Sequence, residues 1–264
     1  MIKIENYEVT GWEHAIRGMR NPMNSWEKSD SEFITSDGDH YDICGNSGPW
    51  YGEDGWPEVL IGEADHTLMM SLAKGGPVHA KYLRMIAVYL DVTAPLYWWK
   101  EFDTYKVGTV ANSCSTMHKI HEKEFTMDDF SHEHLLDRAS EWEDTFDLYT
   151  DEPNGVNSAC CPTEFLKMTC GVLNFYREKF LEAQRKPMKE EGKRVYLMKK
   201  YWWQMIQLLP SSYNQKRTVM LNYEVLANIY KSRKTHKLDE WRDFCVWIEE
   251  LPYSELITGE LEAK

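Results

Sequence analysis

The second half of the chain constrains the fold most, because its apolar residues recur at helical spacing with few interruptions. From Cys161 onward they return every three or four residues, as on one face of an α-helix. Leu209 and Pro210, followed by two serines, break the pattern, because proline cannot continue a helix. The periodicity predicts four helices, over residues 163–185, 192–208, 216–233 and 238–250.

The first half mixes helix, strand and loop. Residues 66–76 have helical apolar spacing and end in two glycines, which predicts a short helix. Residues 86–92 are rich in β-forming side chains and run into Ala94 and Pro95, which predicts a strand followed by a helix packed on the sheet. The stretch 36–57 is rich in Gly, Asp, Ser and Pro and predicts a long loop. With no internal repeat, the expectation is one α+β domain spanning residues 1–264.

Negative charge is concentrated in one segment. The 264 residues carry a formal net charge of −13, and residues 122–152 contain twelve acidic and two basic residues. Apolar residues at helical intervals in this segment predict an amphipathic helix with an acidic outer face, within an insertion at about 119–160. This face is either a solvated surface or a docking surface for a basic protein partner.

Composition also excludes several classes of protein. No apolar run reaches the ~18–20 residues of a membrane span, and the first residues do not resemble a signal peptide, so we expect no membrane association and a cytoplasmic location. The six scattered cysteines favour reduced thiols. The acidic balance argues against a broad nucleic-acid surface, and neither GxxxxGK[ST] nor GxGxxG after a strand is present.

A cluster of cysteine and histidine residues raises the question of a metal site. Cys114, His118 and His121 have helix-compatible spacing, with His132 and His134 nearby. Without a CxxC pair or an HExxH motif, surface or hydrogen-bonded histidines are favoured and no metal site is predicted.

Two stretches together resemble the flavin-dependent thymidylate synthases. The segment from His79 to Ala94-Pro95-Leu96 is similar to the part of that family that runs from a histidine through a strand and an "AP" turn into its motif helix. Leu209-Pro210, eleven residues and then Asn222, Asn228 and Arg233 reproduce the family pattern LP…N(x5)[HN](x4)R without a gap.

The resemblance implies a central antiparallel sheet with flanking helices, in a homotetramer whose flavin sites lie between subunits. It implies that His79, Asn222 and Asn228 contact FAD and that Arg233 contacts the deoxyuridylate substrate. The family's RHR signature aligns with Thr104-Tyr105-Lys106, which leaves Lys106 as a cofactor-binding residue. Glu101 falls at its "QW" element and Ser115 at its Ser-x-Arg, both as substrate-binding positions. No catalytic residue is assigned.

This sequence departs from the family where phosphates bind. The RHR cations are reduced to Lys106, Met117 stands where the Ser-x-Arg arginine would be, and Ile206 replaces an arginine before the LP break. Each charge-assisted hydrogen bond to a phosphate contributes about 1.5–3 kcal/mol. Binding therefore needs other cations, for which the sequence offers five candidates: Lys100, Lys106, Lys119, Lys216 and Arg217.

Two functions remain open. The first is a diverged flavin-dependent thymidylate synthase-like methyltransferase that binds FAD and a dUMP-like nucleotide, with reduced nicotinamide and methylene-tetrahydrofolate as co-substrates. The second is a catalytically inactive member of the same fold that acts as an interaction or inhibitor protein through its acidic surface. Whether the chain is an enzyme is left open.

Overall fold

Nineteen α-helices and β-strands follow one another along the described chain. The computed structural model describes residues 1–34, 39–49, 59–137, 146–148 and 158–259. The elements are β1 (Lys3–Thr10), α1 (Trp12–Arg20), β2 (Glu32–Ile34), β3 (Asp39–Tyr41), β4 (Ser47–Pro49), β5 (Val59–Leu60), α2 (Glu63–Lys74), β6 (Ala87–Pro95), α3 (Leu96–Phe102), β7 (Val110–Ser113), α4 (Thr116–Lys119), β8 (Phe146–Leu148), β9 (Ser158–Cys160), α5 (Pro162–Gln184), α6 (Glu191–Leu208), β10 (Asn214–Asn222), α7 (Tyr223–Arg233), α8 (Asp239–Glu249) and α9 (Glu255–Thr258).

The main sheet has four strands in the order β1-β6-β10-β7, and helices flank it. The predicted class, α+β with an antiparallel sheet and flanking helices, is confirmed. Helices α2, α5, α6 and α8 coincide closely with predicted ones, and the strand expected over 86–92 is the first part of β6. None of the helices in the described residues is long and apolar enough to cross a membrane.

The helix predicted over 216–233 is wrong in its first part. Residues up to Asn222 form strand β10, and helix α7 begins only at Tyr223. Val219 and Leu221 are buried while Thr218 is exposed and Met220 is partly exposed. Alternation of this kind belongs to a strand that buries one face. Over so short a run, alternating apolar residues can also match helical spacing. Pairing with neighbouring strands then decides that these residues form a strand.

The chain divides into two compact units, each assembled from separate parts of the sequence. The first contains Met1, Thr93–Glu101 and Ser113–Arg217, and the second contains Ile2–Val92, Phe102–Asn112 and Thr218–Lys264. A single domain over 1–264 and an insertion at about 119–160 remain predictions.

The acidic segment is not helical where it is described. Between α4 and residue 137 the only helical element is a 3-10 turn, Met127–Asp129. Phe125 is buried, and the Asn174 side chain of α5 accepts from its N–H and donates to its C=O, at 2.8 Å each. These bonds satisfy backbone groups that a helix would have paired. Residues 138–145 and 149–157 lie outside the described residues, and 146–148 form β8.

The loop predicted over 36–57 contains a hairpin. Strands β3 and β4 pair antiparallel, with His40 opposite Gly48. The Asp42 carboxylate accepts from the backbone N–H groups of Cys44 and Asn46 and so closes the turn between the strands. Residues 35–38 and 50–58 lie outside the described residues.

Candidate functional site

Helix α2 supplies one wall of the candidate site and is anchored at its start. Asp30 accepts from the N–H groups of Ala64 and Asp65, at 2.8 and 3.0 Å, and so caps the first turn. A Cβ on Gly62 would lie 2.2 Å from the Asp30 side chain, so only glycine fits there. The helix ends at Lys74, where Gly76 takes a φ of +88° that favours glycine.

Helix α7 supplies the opposing wall. Asn222 precedes it as the N-cap, and its side-chain oxygen accepts from Val225 N–H at 3.1 Å. Tyr223 is fully buried and its hydroxyl donates to Pro252 C=O. Burial raises the pKa of Tyr223 far above its ordinary value, so this hydroxyl stays a neutral donor. The start of α7 is thus held rigidly.

A cavity of about 410 Å³ lies in the second unit, against α2, α7 and α9. Its apolar surface comes from side chains such as Met70, Leu83, Ala227 and Ile257. The volume falls within the range of small-molecule sites, about 300–1,000 Å³. Among the described residues, those that line the cavity are Met70, Ala73, Lys74, Gly76, Pro77, Ala80, Leu83, Glu224, Ala227, Asn228, Tyr230, Lys231, Lys234, Glu255, Leu256, Ile257, Thr258 and Gly259.

Charged groups at the cavity favour an anionic ligand. Three lysines line it: Lys74, Lys231 and Lys234. Each of the two lining glutamates contacts another side chain through one oxygen, since Arg84 Nε lies 2.7 Å from Glu224 Oε2 and His66 Nε2 lies 2.7 Å from Glu255 Oε1. The other oxygen of Glu224, Oε1, is buried and has no hydrogen-bond partner among the described residues. Lysines near helix C-termini also interact favourably with the helix dipole, which gives them a structural role as well.

Of the seven residues predicted to bind cofactor or substrate, Asn228 lines the cavity. Its side chain is exposed on α7. His79 is exposed beside the lining residues Pro77 and Ala80, and a Cβ on Gly75 would lie 3.2–3.3 Å from its side chain. Neither residue has a demonstrated ligand, and both roles remain predictions.

Asn222 and Arg233 are held by contacts within the second unit. Asn222 is 9% exposed and occupied as the cap of α7. The Arg233 guanidinium carbon lies 4.7 Å from the Trp241 ring centroid, and Arg233 Nε donates to the Tyr105 hydroxyl at 3.0 Å. Tyr105, which stands at the centre of the replaced RHR signature, therefore contacts the arginine predicted to bind substrate.

The remaining three predicted residues are not among those that line the cavity. Lys106 is exposed in the turn after α3. Ser115 caps α4 by accepting from His118 N–H at 3.0 Å, and Glu101 is half-buried on α3. Glu101 and Ser115 belong to the first unit, whereas Lys106 belongs to the second.

The three lysines of the cavity are not among the five cations that the sequence predicts as phosphate ligands. Of those five, Arg217 lies over the Trp99 ring at 4.2 Å and donates to Gln215, and Lys119 pairs with Glu122. A signal was nevertheless present, because Lys231 on α7 and Lys234 just after its end follow Asn228 at successive three-residue steps. Among the described residues, no three His, Cys, Asp or Glu side chains are arranged to hold a metal ion.

Comparison with known proteins identifies the fold. No protein-family model and no curated protein matches the chain. A crystal structure of the flavin-dependent thymidylate synthase ThyX from Helicobacter pylori, complexed with FAD and dUMP, matches with a TM-score of 0.50 and 16% identity over 99% of each chain. A second structure of that enzyme with FAD and dUMP gives 0.51 and 16%, over 98% of this chain and 97% of the other.

A third solved structure, the UMP/dUMP methylase PolB from Streptomyces cacaoi bound with 5-Br UMP, gives a TM-score of 0.48 and 12% identity, over 98% of this chain and 94% of that one. At 16% identity the ThyX matches concern the fold alone. The chain has the α+β fold of the flavin-dependent thymidylate synthases.

Proposed function

We propose that this protein binds FAD and a dUMP-like pyrimidine deoxynucleotide and carries out reductive methylation or closely related chemistry. The observation that carries the proposal is the 410 Å³ cavity, which combines Asn228 with three lysines in a chain that has this fold. Phosphate binding needs cations in place of the lost RHR arginines, and these lysines are suited to that role.

The residues present fit part of a flavin dinucleotide. Met70, Leu83 and Ile257 offer apolar surface for a ring system, and Asn228 offers both a donor and an acceptor for a ring edge. Lys74, Lys231 and Lys234 would bind a phosphate. A dinucleotide is larger than this cavity, so a second subunit would hold the remainder, in keeping with the homotetramer that the family resemblance implies.

The chain's own residues would bind and orient the reactants. If bound, FAD in its reduced form would supply the hydride, with reduced nicotinamide and methylene-tetrahydrofolate as co-substrates. The lysines would fix the phosphate end of the ligand and Asn228 the ring edge. Arg233, whose guanidinium is held by Tyr105 and Trp241, would contact the nucleotide. We place the reaction in the cytoplasm.

The first experiment is flavin reconstitution. Purified protein is incubated with FAD, separated from unbound FAD and examined by visible absorbance, and the released cofactor is identified by chromatography. We expect bound FAD, whose dissociation constant rises about tenfold in Asn228→Ala, the effect of one lost hydrogen bond of about 1.4 kcal/mol. Asn112→Ala, at an exposed asparagine on β7, is the matched control and should bind FAD as wild type does.

Activity is tested separately from binding. Protein loaded with FAD is supplied with reduced nicotinamide, methylene-tetrahydrofolate and dUMP, and methylated nucleotide is measured. Failure to take up FAD would contradict the cofactor assignment, whereas FAD uptake without dUMP-dependent turnover would contradict the reaction.

A second candidate function is favoured by one observation, the contacts of Arg233. Because Tyr105 and Trp241 hold this arginine, it also serves as a structural contact, as expected of a scaffold that has lost catalysis. The protein would then bind a basic partner through the acidic segment 122–152. Colourless protein that takes up no flavin, together with binding of a lysine-rich peptide that reversal of Glu124 and Asp128 to lysine abolishes, would favour this function.

A further inference from the structure

Positive charge is concentrated around the connection between α5 and α6. Residues 185–200 contain seven basic and two acidic residues, in a chain whose formal net charge is −13. They comprise the six residues between the two helices and the first half of α6. Lys189, Lys193 and Lys199 are exposed and form no ion pair with a described residue. Like charges without partners repel one another, so folding does not explain this concentration.

These cations share one face of α6. At 3.6 residues per turn, six residues fall within an arc of about 120° around the helix axis. We name them the α6 basic face: Lys189, Lys193, Tyr196, Lys199, Lys200 and Trp203. Lys189 belongs to the 3-10 turn that immediately precedes the helix. The one acidic residue of α6, Glu191, lies outside this arc, and Met205, which is fully buried, lies opposite it.

The two aromatic residues of this face are exposed among its lysines. Tyr196 is 66% exposed and Trp203 is 41% exposed. The neighbouring Trp202 anchors this part of the helix, since its Nε1 donates to Met117 C=O at 2.7 Å. Its ring lies edge-on to the Trp203 ring, with centroids 4.8 Å apart, which orients the exposed indole. Lysine and aromatic side chains therefore alternate along the face, in the order Lys193, Tyr196, Lys200 and Trp203.

The start of α6 lies at the opposite end of this helix pair from the start of α5. The Tyr176 ring of α5 packs beside the Tyr201 ring of α6, with centroids 6.4 Å apart. The two helices are joined by six residues and run antiparallel, so Tyr196 lies about level with Leu181. At 1.5 Å per residue, that is about 27 Å from Thr163 in the first turn of α5.

The undescribed residues of the first unit join the chain at that distant end. Residues 138–145 and 149–157 are attached there, since Asp137 Oδ1 lies 3.9 Å from Cys161 Sγ and β8 contacts Phe165 through an aromatic ring. A stretch of eight or nine residues held at both ends extends at most about 18 Å from its attachments. The start of α6 is therefore out of their reach.

The pattern of the α6 basic face fits a ligand chain that combines negative charge with planar rings. Lysine ammonium groups bind phosphates as point charges, and exposed aromatic rings stack on nucleobases whatever their sequence. A bilayer needs a continuous apolar helix face, which lysines interrupt here. Protein interfaces are depleted in lysine at their centres, so a protein partner fits this face less well. We propose that the α6 basic face binds single-stranded nucleic acid, at a site separate from the cavity of the second unit.

The test is fluorescence anisotropy of a labelled single-stranded DNA of about 16 nucleotides, titrated with the full-length protein. Salt is varied between about 50 and 200 mM. Four contacting lysines predict a slope of about −3 for the logarithm of the association constant against that of the salt concentration. Lys193→Ala should weaken binding and reduce the size of this slope by about 0.7. Lys167→Ala, at an exposed lysine of α5, is the matched control and should change neither.

Tyrosine variants separate stacking from charge. Tyr196→Ala should weaken binding about tenfold without changing the salt slope, because it removes a ring and no charge. Tyr196→Phe keeps the ring and should bind as wild type does. Circular dichroism checks the folding of each variant, and Lys193→Ala decides the question if Tyr196→Ala does not fold.

Four outcomes would overturn the proposal. Two are the absence of binding at about 50 mM salt and equal affinity in folded Lys193→Ala and Lys167→Ala. The third is complete displacement of the DNA by polyglutamate of equal length, which would assign the face to acidic polypeptides. The fourth is displacement by excess dUMP, which would place the DNA at the cavity. Failure of FAD uptake bears only on the proposed function, because the face and the cavity belong to different units.

Discussion

The two ends of helix α2 place charge in opposite settings. At its first turn, Asp65 is fully buried and accepts from Arg20 Nε at 2.6 Å and from the hydroxyls of Ser29 and Ser31 at 2.6 and 2.7 Å. At its last turn, Lys74 is exposed at the wall of a cavity. Buried groups that satisfy one another stabilise a fold, whereas exposed cations around a concave surface can bind a ligand. Asp65 therefore stabilises the fold, whereas Lys74 is a candidate for ligand binding.

The largest expected effect is at the buried end. Asp65→Ala would leave Arg20, which is 4% exposed, without its carboxylate, and should lower the free energy of unfolding by about 3–5 kcal/mol. Urea unfolding followed by circular dichroism measures it. Glu63→Ala, at an exposed residue of the same first turn, is the control and should cost less than about 1 kcal/mol. Equal losses in the two variants would mean that the buried pair has no special role.

The next effect is at the cavity. Lys231→Ala should weaken FAD binding about tenfold, since it removes one charge-assisted contact, and should leave the free energy of unfolding nearly unchanged. Titration of flavin fluorescence measures the affinity. Lys81→Ala, at an exposed lysine that does not line the cavity, should bind FAD as wild type does. If both variants lose affinity alike, the cavity lysines are not the phosphate site.

A smaller effect is expected at Asn222. Asn222→Ala removes the cap of α7 and should lower the free energy of unfolding by about 1 kcal/mol. Asn222→Asp keeps an acceptor for Val225 N–H and should restore most of the loss. Chemical denaturation measures both variants. If the alanine and aspartate variants are equally stable, the cap contributes nothing and the case for a direct ligand contact strengthens.

The smallest effect concerns pH. Burial lowers the pKa of His121 below its ordinary value of about 6.5, and its Nδ1 has no hydrogen-bond partner among the described residues. Below about pH 6.5 the unfolded chain binds more protons at His121 than the folded chain does. The stability that the folded protein gains by keeping His121 neutral is therefore lost as the pH falls through the folded-state pKa. Urea unfolding between about pH 7.5 and 5 should show less loss in His121→Gln than in wild type. Parallel pH curves for the two proteins would contradict this.

Helix boundaries could be predicted where the signal is local. Two glycines end α2, and Leu209-Pro210 separates α6 from β10. Local rules failed where a distant partner completes the backbone hydrogen bonds. Asn174 of α5 pairs with both backbone groups of Phe125, which lies in the described, non-helical start of the acidic segment. Pairing with neighbouring strands makes residues up to Asn222 part of β10.

The candidate site was predictable only in part. Asn228 was identified from a motif and does line a cavity. Motif spacing alone could not distinguish it from Asn222 and Arg233, because a match in sequence does not reveal that one side chain caps a helix and another stacks on Trp241. Lys74 was not predicted because it lies on α2, more than 140 residues before α7 in the chain, and only the folded structure brings it to the same cavity.

By itself, the sequence determined where most helices begin and end and which fold class they form, because caps, breaks and apolar spacing act over a few neighbouring residues. Only the tertiary structure decided which of the thirty lysines and arginines meet at a cavity and that residues up to Asn222 form a strand rather than a helix. Those outcomes depend on contacts between residues far apart in the chain, and local spacing carries no information about such contacts.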